Sequence, residues 1–277
     1  MKYLYQAAWC IGAIFAAAAP KAAAVTTVVT QDAFDLATAF APTPGRASVV
    51  GNFTEFSSTN QMGTFTDGGG SVGFSSGIIL STGNVSQIAI GASGLSTGYG
   101  GTPSSSTIAL LSQVPGPGSP VSDNARLSIT IDPGLVSGFI NFSFAYMSGE
   151  ISPSDKFGIF LDGVYTGLVG GNAVDQGHPW IKASAPSLGF DQALYQDGNP
   201  LNPQFFTLSL AVPTSGSAFE LDFVIADGFD DGVDTAVFLG DFSATTTPLG
   251  TVAVPEVSTS VLVALAGLVW ARRRNRR

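Results

Sequence analysis

The sequence predicts an all-β fold: a two-sheet β-sandwich, jelly-roll-like, with one short N-terminal helix. Three observations carry this. Apolar residues recur at every second position in short runs, Gly, Pro, Asp and Asn separate the runs, and glycine is abundant at 34 of 277 residues. A period of two is the signature of strands with one buried face, and the separators are turn residues.

Taken in order, the first element is the helix, expected from Gln31 to Phe40 with Thr30 as N-cap and with Phe34, Leu36, Ala37 and Phe40 at helical spacings. It is placed across one end of the sandwich. The strands follow. Leu127, Ile129 and Ile131 point one way while Arg126, Ser128 and Thr130 point the other, which reads as one buried and one wet face. Ile140, Phe142, Phe144 and Tyr146 alternate in the same manner, as do Phe206, Leu208, Leu210 and Val212, then Phe219, Leu221, Phe223 and Ile225. Phe157, Ile159 and Leu161 give a shorter version. Several such strands at this spacing favour packed sheets. Gly91 to Pro120 and Gly170 to Pro203 read as long loops, and residues 245–255 as a Thr/Pro linker.

Composition bounds the compartment and the partners. Residues 1–24, with Lys2 ahead of an Ala-rich apolar stretch and Lys21-Ala22-Ala23-Ala24 at its end, read as a secretory signal peptide. The single cysteine, Cys10, lies within it, so the mature chain is expected to carry neither disulfides nor a cysteine metal site. From Val25 to Pro255 there are 19 acids against 4 bases, Arg46, Arg126, Lys156 and Lys182. Such a surface repels nucleic acid.

The basic residues missing from the middle collect at the end. Val254-Pro255-Glu256 precedes an apolar run from Val261 to Trp270 and then Arg272, Arg273, Arg274, Arg276 and Arg277. About fifteen apolar residues are marginal for spanning a bilayer, and the arginines suit a stop-transfer cluster on the cytoplasmic side. This order resembles the PEP-CTERM sorting signal of Gram-negative bacteria, with Val257 standing where the family has a second proline. The resemblance implies transient membrane residence through the short helix of residues 256–277, and processing by a sorting protease of the exosortase type.

A second resemblance runs from about Asp35 to Ala244, within a β-sandwich domain read as residues 25–244. Met62 to Gly69 leads into Ser76-Gly77-Ile78-Ile79-Leu80-Ser81-Thr82-Gly83-Asn84, which is similar to the GIVLSTGN signature of the choice-of-anchor L domain. Phe142 to Glu150 with Asp155 to Gly163, and Ile225 to Leu239, resemble later blocks of that family, with Met147-Ser148-Gly149-Glu150 replacing its Ser-Glu-Glu-Tyr. The resemblance implies an exported surface protein of defined compartment and fold, and no reaction.

Chemistry-bearing residues are sparse. His178 is the only histidine and no Gly-x-Ser-x-Gly elbow occurs, which argues against a nucleophile triad and against zinc. Glu150, Asp155, Glu220 and Asp222 are available as carboxylates for glycoside hydrolysis, although Glu220 and Asp222 read as solvated charge on the wet face of one strand. Trp180 and Tyr195, with Tyr99, are the aromatic candidates for a sugar platform, Trp180 reading more readily as a plug under its loop. Asp227, Asp230, Asp231 and Asp234 fall within eight residues interspersed with glycine and are the candidate ligands for calcium, against an ordinary Asp/Gly turn. The expectation is a non-enzymatic structural or adhesive protein of the envelope surface or extracellular matrix. A carbohydrate-binding module recognising exopolysaccharide and a glycan hydrolase remain open beside it.

Overall fold

The computed structural model describes residues 25–41, 48–68, 71–88, 98–115, 121–132, 138–149, 155–166, 169, 172–175, 178–185, 190–199, 205–212, 217–228 and 234–253. The leader (1–24), the tail (254–277), Glu150, Asp230 and Asp231 lie outside them. Among the described residues no helix is long and apolar enough to cross a membrane.

Fifteen strands are described: β1 (Val25–Val29), β2 (Ser48–Phe56), β3 (Met62–Asp67), β4 (Ser76–Ser81), β5 (Val121–Asp132), β6 (Phe139–Ser148), β7 (Lys156–Leu161), β8 (Val164–Tyr165), β9 (Val174–Asp175), β10 (Ile181–Ala185), β11 (Phe190–Leu194), β12 (Phe206–Ala211), β13 (Phe219–Gly228), β14 (Thr235–Thr245) and β15 (Thr251–Ala253). They form two sheets. The first runs β1-β3-β4-β14-β6-β11-β10, with β12 also on β6 and β15 on β12; the second runs β2-β5-β13-β7-β8, with β9 on β7. All pairs are antiparallel except β12 with β15. The all-β, two-sheet architecture is the one the alternation predicts.

The alternating residues meet between the sheets. Phe142, Phe144 and Tyr146 of β6, Leu208 and Leu210 of β12 and Val237 and Leu239 of β14 face Leu127, Ile129 and Ile131 of β5, Phe157 and Ile159 of β7 and Leu221, Phe223 and Ile225 of β13. Helix α1 (Ala33–Phe40) adds Leu36, Ala37 and Phe40 to this core. The Phe40 ring stands edge-on to Phe142 and Phe223 at 5.7 and 5.1 Å.

Several expectations are corrected. The N-cap of α1 is Asp32, whose carboxylate accepts from the N–H groups of Phe34 and Asp35, while Thr30 supports Asp32 in turn. The helix therefore starts two residues later than Gln31, and Phe34 points outward at 69% exposure. Gly91–Pro120 is not loop throughout: α3 (Ser105–Leu111) lies within it, capped by Ser104. A further short helix, α2 (Val85–Ile88), follows β4. Gly170–Pro203 likewise contains β9, β10 and β11. The stretch read as linker begins and ends on strand where it is described, because β14 continues to Thr245 and Thr251–Ala253 pairs with Leu208–Leu210, with Thr246 to Gly250 bending between them.

The wet faces are also corrected. Arg126, Ser128 and Asp222 are buried, as are Val224 and Ala226 beside them. The cause is α3, which brings Leu110, Leu111 and Val114 onto the outer face of the second sheet. The outer face of the first sheet is covered too, by Val72, Phe74, Val85, Ile88 and Tyr195 packed on Ile79, Ala145, Ala236 and Phe238. Period two shows that neighbouring side chains part company; it does not say what later lands on the second face.

Candidate functional site

Three places concentrate polar or aromatic side chains. The first is the end of the sandwich where β4, β6 and β13 finish and β7 and β14 begin. Register dictates it: Ala236 pairs with Ser81, Thr235 with Ser148 and Ala226 with Lys156. Strand ends that carry the Ser81-Thr82-Gly83, Met147-Ser148, Asp155-Lys156, Asp227-Gly228 and Asp234-Thr235 segments are thus gathered together.

Asp155, at the head of β7 in the second sheet, is fully buried. Its carboxylate accepts the Thr235 hydroxyl of the first sheet and, at 3.4 Å, the N–H of Gly228. Thr235 is hydrogen-bonded to the Ser148 hydroxyl at 2.9 Å, its N–H donates to the Thr82 hydroxyl at 2.9 Å, and its carbonyl accepts from the Ser81 hydroxyl at 2.9 Å. A Cβ on Gly83 would overlap the Asp234 carboxylate, so a larger residue there would push Asp234 out of its place. This polar knot ties the two sheets to one another. Of the candidate calcium ligands, Asp227 and Asp234 are buried at this end, and Asp230 and Asp231 lie outside the described residues. Among the described residues no group of three or more His, Cys, Asp or Glu side chains is arranged to hold a metal.

The second place is the outer face of the second sheet under α3. The Arg126 guanidinium donates through Nε and Nη2 to Asp222 Oδ1 at 2.9 and 2.8 Å, and through Nη1 to the hydroxyls of Ser106 and Thr107 at 3.2 and 3.3 Å. It also lies 5.6 Å from the centre of the Phe53 ring and 3.7 Å from Glu220. Burial, then the neighbouring Asp222 charge, pushes the Glu220 carboxyl above its ordinary range, and Arg126 offsets only part of this. Glu55 goes the other way. Burial pushes it up, but the Ser104 N–H, the hydroxyls of Ser104 and Thr107 and the Asn124 amide together hold it below its usual value. Asp222, expected as solvated charge, is 0% exposed. It holds Arg126, which in turn reaches Ser106 and Thr107 of α3, an ion pair that strand alternation could not reveal because its partner is set by register.

The third place surrounds His178. Nε2 donates to the Val169 carbonyl at 2.8 Å and Nδ1 accepts the Trp180 N–H at 3.1 Å, which specifies one neutral tautomer. Burial lowers its pKa, countered in part by the Val169 carbonyl and the Asp175 charge. Trp180 is half-buried, stacked on Phe206 with centroids 6.2 Å apart and edge-on to His178. Tyr195 is buried in the outer cluster of the first sheet, and its N–H donates to the Trp180 carbonyl at 3.3 Å. The structure places both aromatics together through backbone, with their rings directed into packing. Tyr99 belongs with neither, its N–H held by Asp123 of β5 in the second sheet at 2.7 Å.

These features define a two-sheet β-sandwich whose motif residues serve to lock one of its ends. The chain belongs to the choice-of-anchor L domain family, whose model matches residues 30–177. The match takes in α1, the Ser76–Asn84 signature and the Phe142–Gly163 block, and stops before the Ile225–Leu239 segment. No curated protein matches the chain. Among solved structures it is similar to the secreted serine protease VesC from Vibrio cholerae at 11% identity, covering 80% of this chain and 43% of that one. It thus spans less than half of that protein's length, and a TM-score of 0.23 carries no argument about fold or reaction.

Proposed function

We propose that this protein is exported, sorted to the envelope surface of a Gram-negative bacterium by its C-terminal tail, and works there as a non-catalytic structural or adhesive component. Membership of the choice-of-anchor L family supports surface attachment. The observation that carries the non-catalytic part is the commitment of the chemistry-bearing side chains to internal contacts: both ring nitrogens of His178 are engaged by backbone, and Asp222 is held by Arg126. A general base needs a nitrogen or oxygen that can face a substrate; both ring nitrogens of His178 are taken, and Asp222 is fully buried, including the Oδ2 that Arg126 leaves unpaired. The packing of Trp180 and Tyr195 favours adhesion through some other surface over a stacked sugar platform.

Sorting is proposed to use Val254-Pro255-Glu256 as the recognition motif of an exosortase-type protease, with the apolar helix and arginines as a transient halt in the membrane. Mass spectrometry of the surface fraction tests this, with the expected product lacking residues after about Glu256. An intact Arg277 there would overturn it. A glycan array on the purified chain tests the structural reading against the carbohydrate-binding one. Saturable binding to one polysaccharide class would replace the former by the latter, and release of labelled sugar would install the hydrolase.

A further inference from the structure

The first sheet is extended at one edge by a segment that is an addition to it. After Thr245 the chain crosses the outer face above Asn141 and Ser209, both buried, and lays Thr251–Ala253 parallel to Leu208–Leu210 on the far edge of β12. Ser209 is central to the crossing. Its hydroxyl donates to Asn141 Oδ1 at 2.6 Å and accepts the N–H groups of Leu249 and Gly250 at 3.1 and 2.9 Å. Asn141 Oδ1 also accepts from Leu249 at 3.2 Å, and its amide donates to Thr245 at 2.8 Å. Position 250 accepts glycine alone, since a Cβ would overlap the carbonyl of Thr207. The cradle therefore reads a peptide: an extended segment with glycine at one place and two backbone N–H groups presented to a buried oxygen pair.

The hold is short. Three residues pair, Leu249 and Val252 stand 61% and 43% exposed, and the connection from β14 is only Thr246-Thr247-Pro248. When this strap lifts, β12 keeps β6 on one side and has an open edge on the other, which is a template for strand addition. The segment that fits the template is on every copy of the chain. Exchange of an identical element between protomers retains all its contacts and leaves only the hinge altered.

We propose that the outer edge of β12, with the Ser209–Asn141 cradle, is a strand-acceptor site for the Leu249–Ala253 segment of a second copy of this chain, the strap seen here being its closed form. Closure in cis prevails in dilute solution through its high effective concentration, and exchange in trans grows as copies crowd together. The inference stands on the strap geometry and does not depend on the surface-protein reading.

Complementation between two full-length variants in mild detergent tests it. Gly250→Val breaks the strap and leaves the cradle whole; Ser209→Val with Asn141→Leu breaks the cradle and leaves the strap whole. Sedimentation should find each variant alone monomeric and an equimolar mixture forming a one-to-one dimer. A mixture that stays monomeric while both variants keep the wild-type circular dichroism overturns the proposal, as does self-association of Gly250→Val. Should the cradle variant fail to fold, labelled Thr246–Ala253 peptide added to the Gly250→Val chain, whose cradle its own strap no longer fills, replaces it. It should bind at least about tenfold more tightly than the same peptide carrying Gly250→Val. Equal binding of the two peptides, or none, refutes the site.

Discussion

The two ends of β6 are closed in different ways. At Ser148 the closure is a knot of side chains from the ends of β4, β6, β7 and β14, joined by the Gly228 N–H of β13, with Asp155 of one sheet holding Thr235 of the other. At the Phe139 end it is a strap of the chain's own backbone, laid over Asn141 and onto β12 within a single sheet. A contact between sheets opposes their separation, whereas a contact along one sheet only lengthens it. The knot should therefore carry global stability and the strap local stability.

Asp155→Ala is the most direct way to break that contrast. It leaves the buried Thr235 hydroxyl and the Gly228 N–H without their shared acceptor, a change expected to cost about 2–4 kcal/mol. Thermal melting reads it. A wild-type melting temperature in this variant would mean that the apolar core alone holds the sheets together at this end.

Calcium, if it binds through Asp227, Asp230, Asp231 and Asp234, would strengthen the same end. The proposal rests on four aspartates within eight residues of sequence, two of them, Asp227 and Asp234, buried beside the knot, and on a domain without disulfide staples. Calcium at a hundredfold excess over its dissociation constant should stabilise the fold by roughly 2.7 kcal/mol relative to chelator. Superimposed melting curves, or a shift that survives Asp230→Ala, would dispose of the site. Amide exchange near Leu249 should be unaffected either way.

The inequality of the two ends was only partly legible in the sequence. Alternation identified the inner-face residues of β5, β6, β7, β12 and β13, because burial between sheets imposes a period of two whatever the topology. It could not place what covers the outer faces. Helix α3 is seven residues long in a stretch rich in Ser, Gly and Pro, and its burial rests on Arg126–Asp222, a pair 96 positions apart brought together by strand register. The knot was visible as quoted motifs but not as a contact, since Ser81, Ser148, Asp155 and Thr235 meet only when β4, β6, β7 and β14 are ordered. The strap was read as linker because Thr and Pro are turn residues, and a three-residue strand has too few positions to show a period.

Gly250→Val separates the strap from the fold. Its Cβ would displace the segment from Thr207, costing about 1 kcal/mol or less, since the removed pairing is short and at the surface. Hydrogen exchange should quicken at Leu249–Ala253 and along the freed edge of β12 while protection around Ser148 and Thr235 stays at its wild-type level. Loss of protection at both ends together would mean that they are one cooperative unit.

The smallest expected effect comes from Glu220, on a face that neither closure touches. Its carboxyl is raised by burial and by Asp222, so the folded chain binds that proton more tightly than the unfolded one. The contribution is present in full below the unfolded value and is lost as pH rises through the folded one. Glu220→Gln removes this loss, so the variant should gain on wild type as pH rises from about 4 to 7. Solvent screens the half-exposed group, which keeps the gain small. Glu55 titrates with the opposite sign: its lowered carboxyl supports the fold above its unfolded value and that support fades as pH falls through the folded one. Urea unfolding of the two chains across this range isolates the contribution of Glu220, because Glu55 is common to both. A difference that shrinks as pH rises would mean that Arg126, and not burial, governs the charge at position 220.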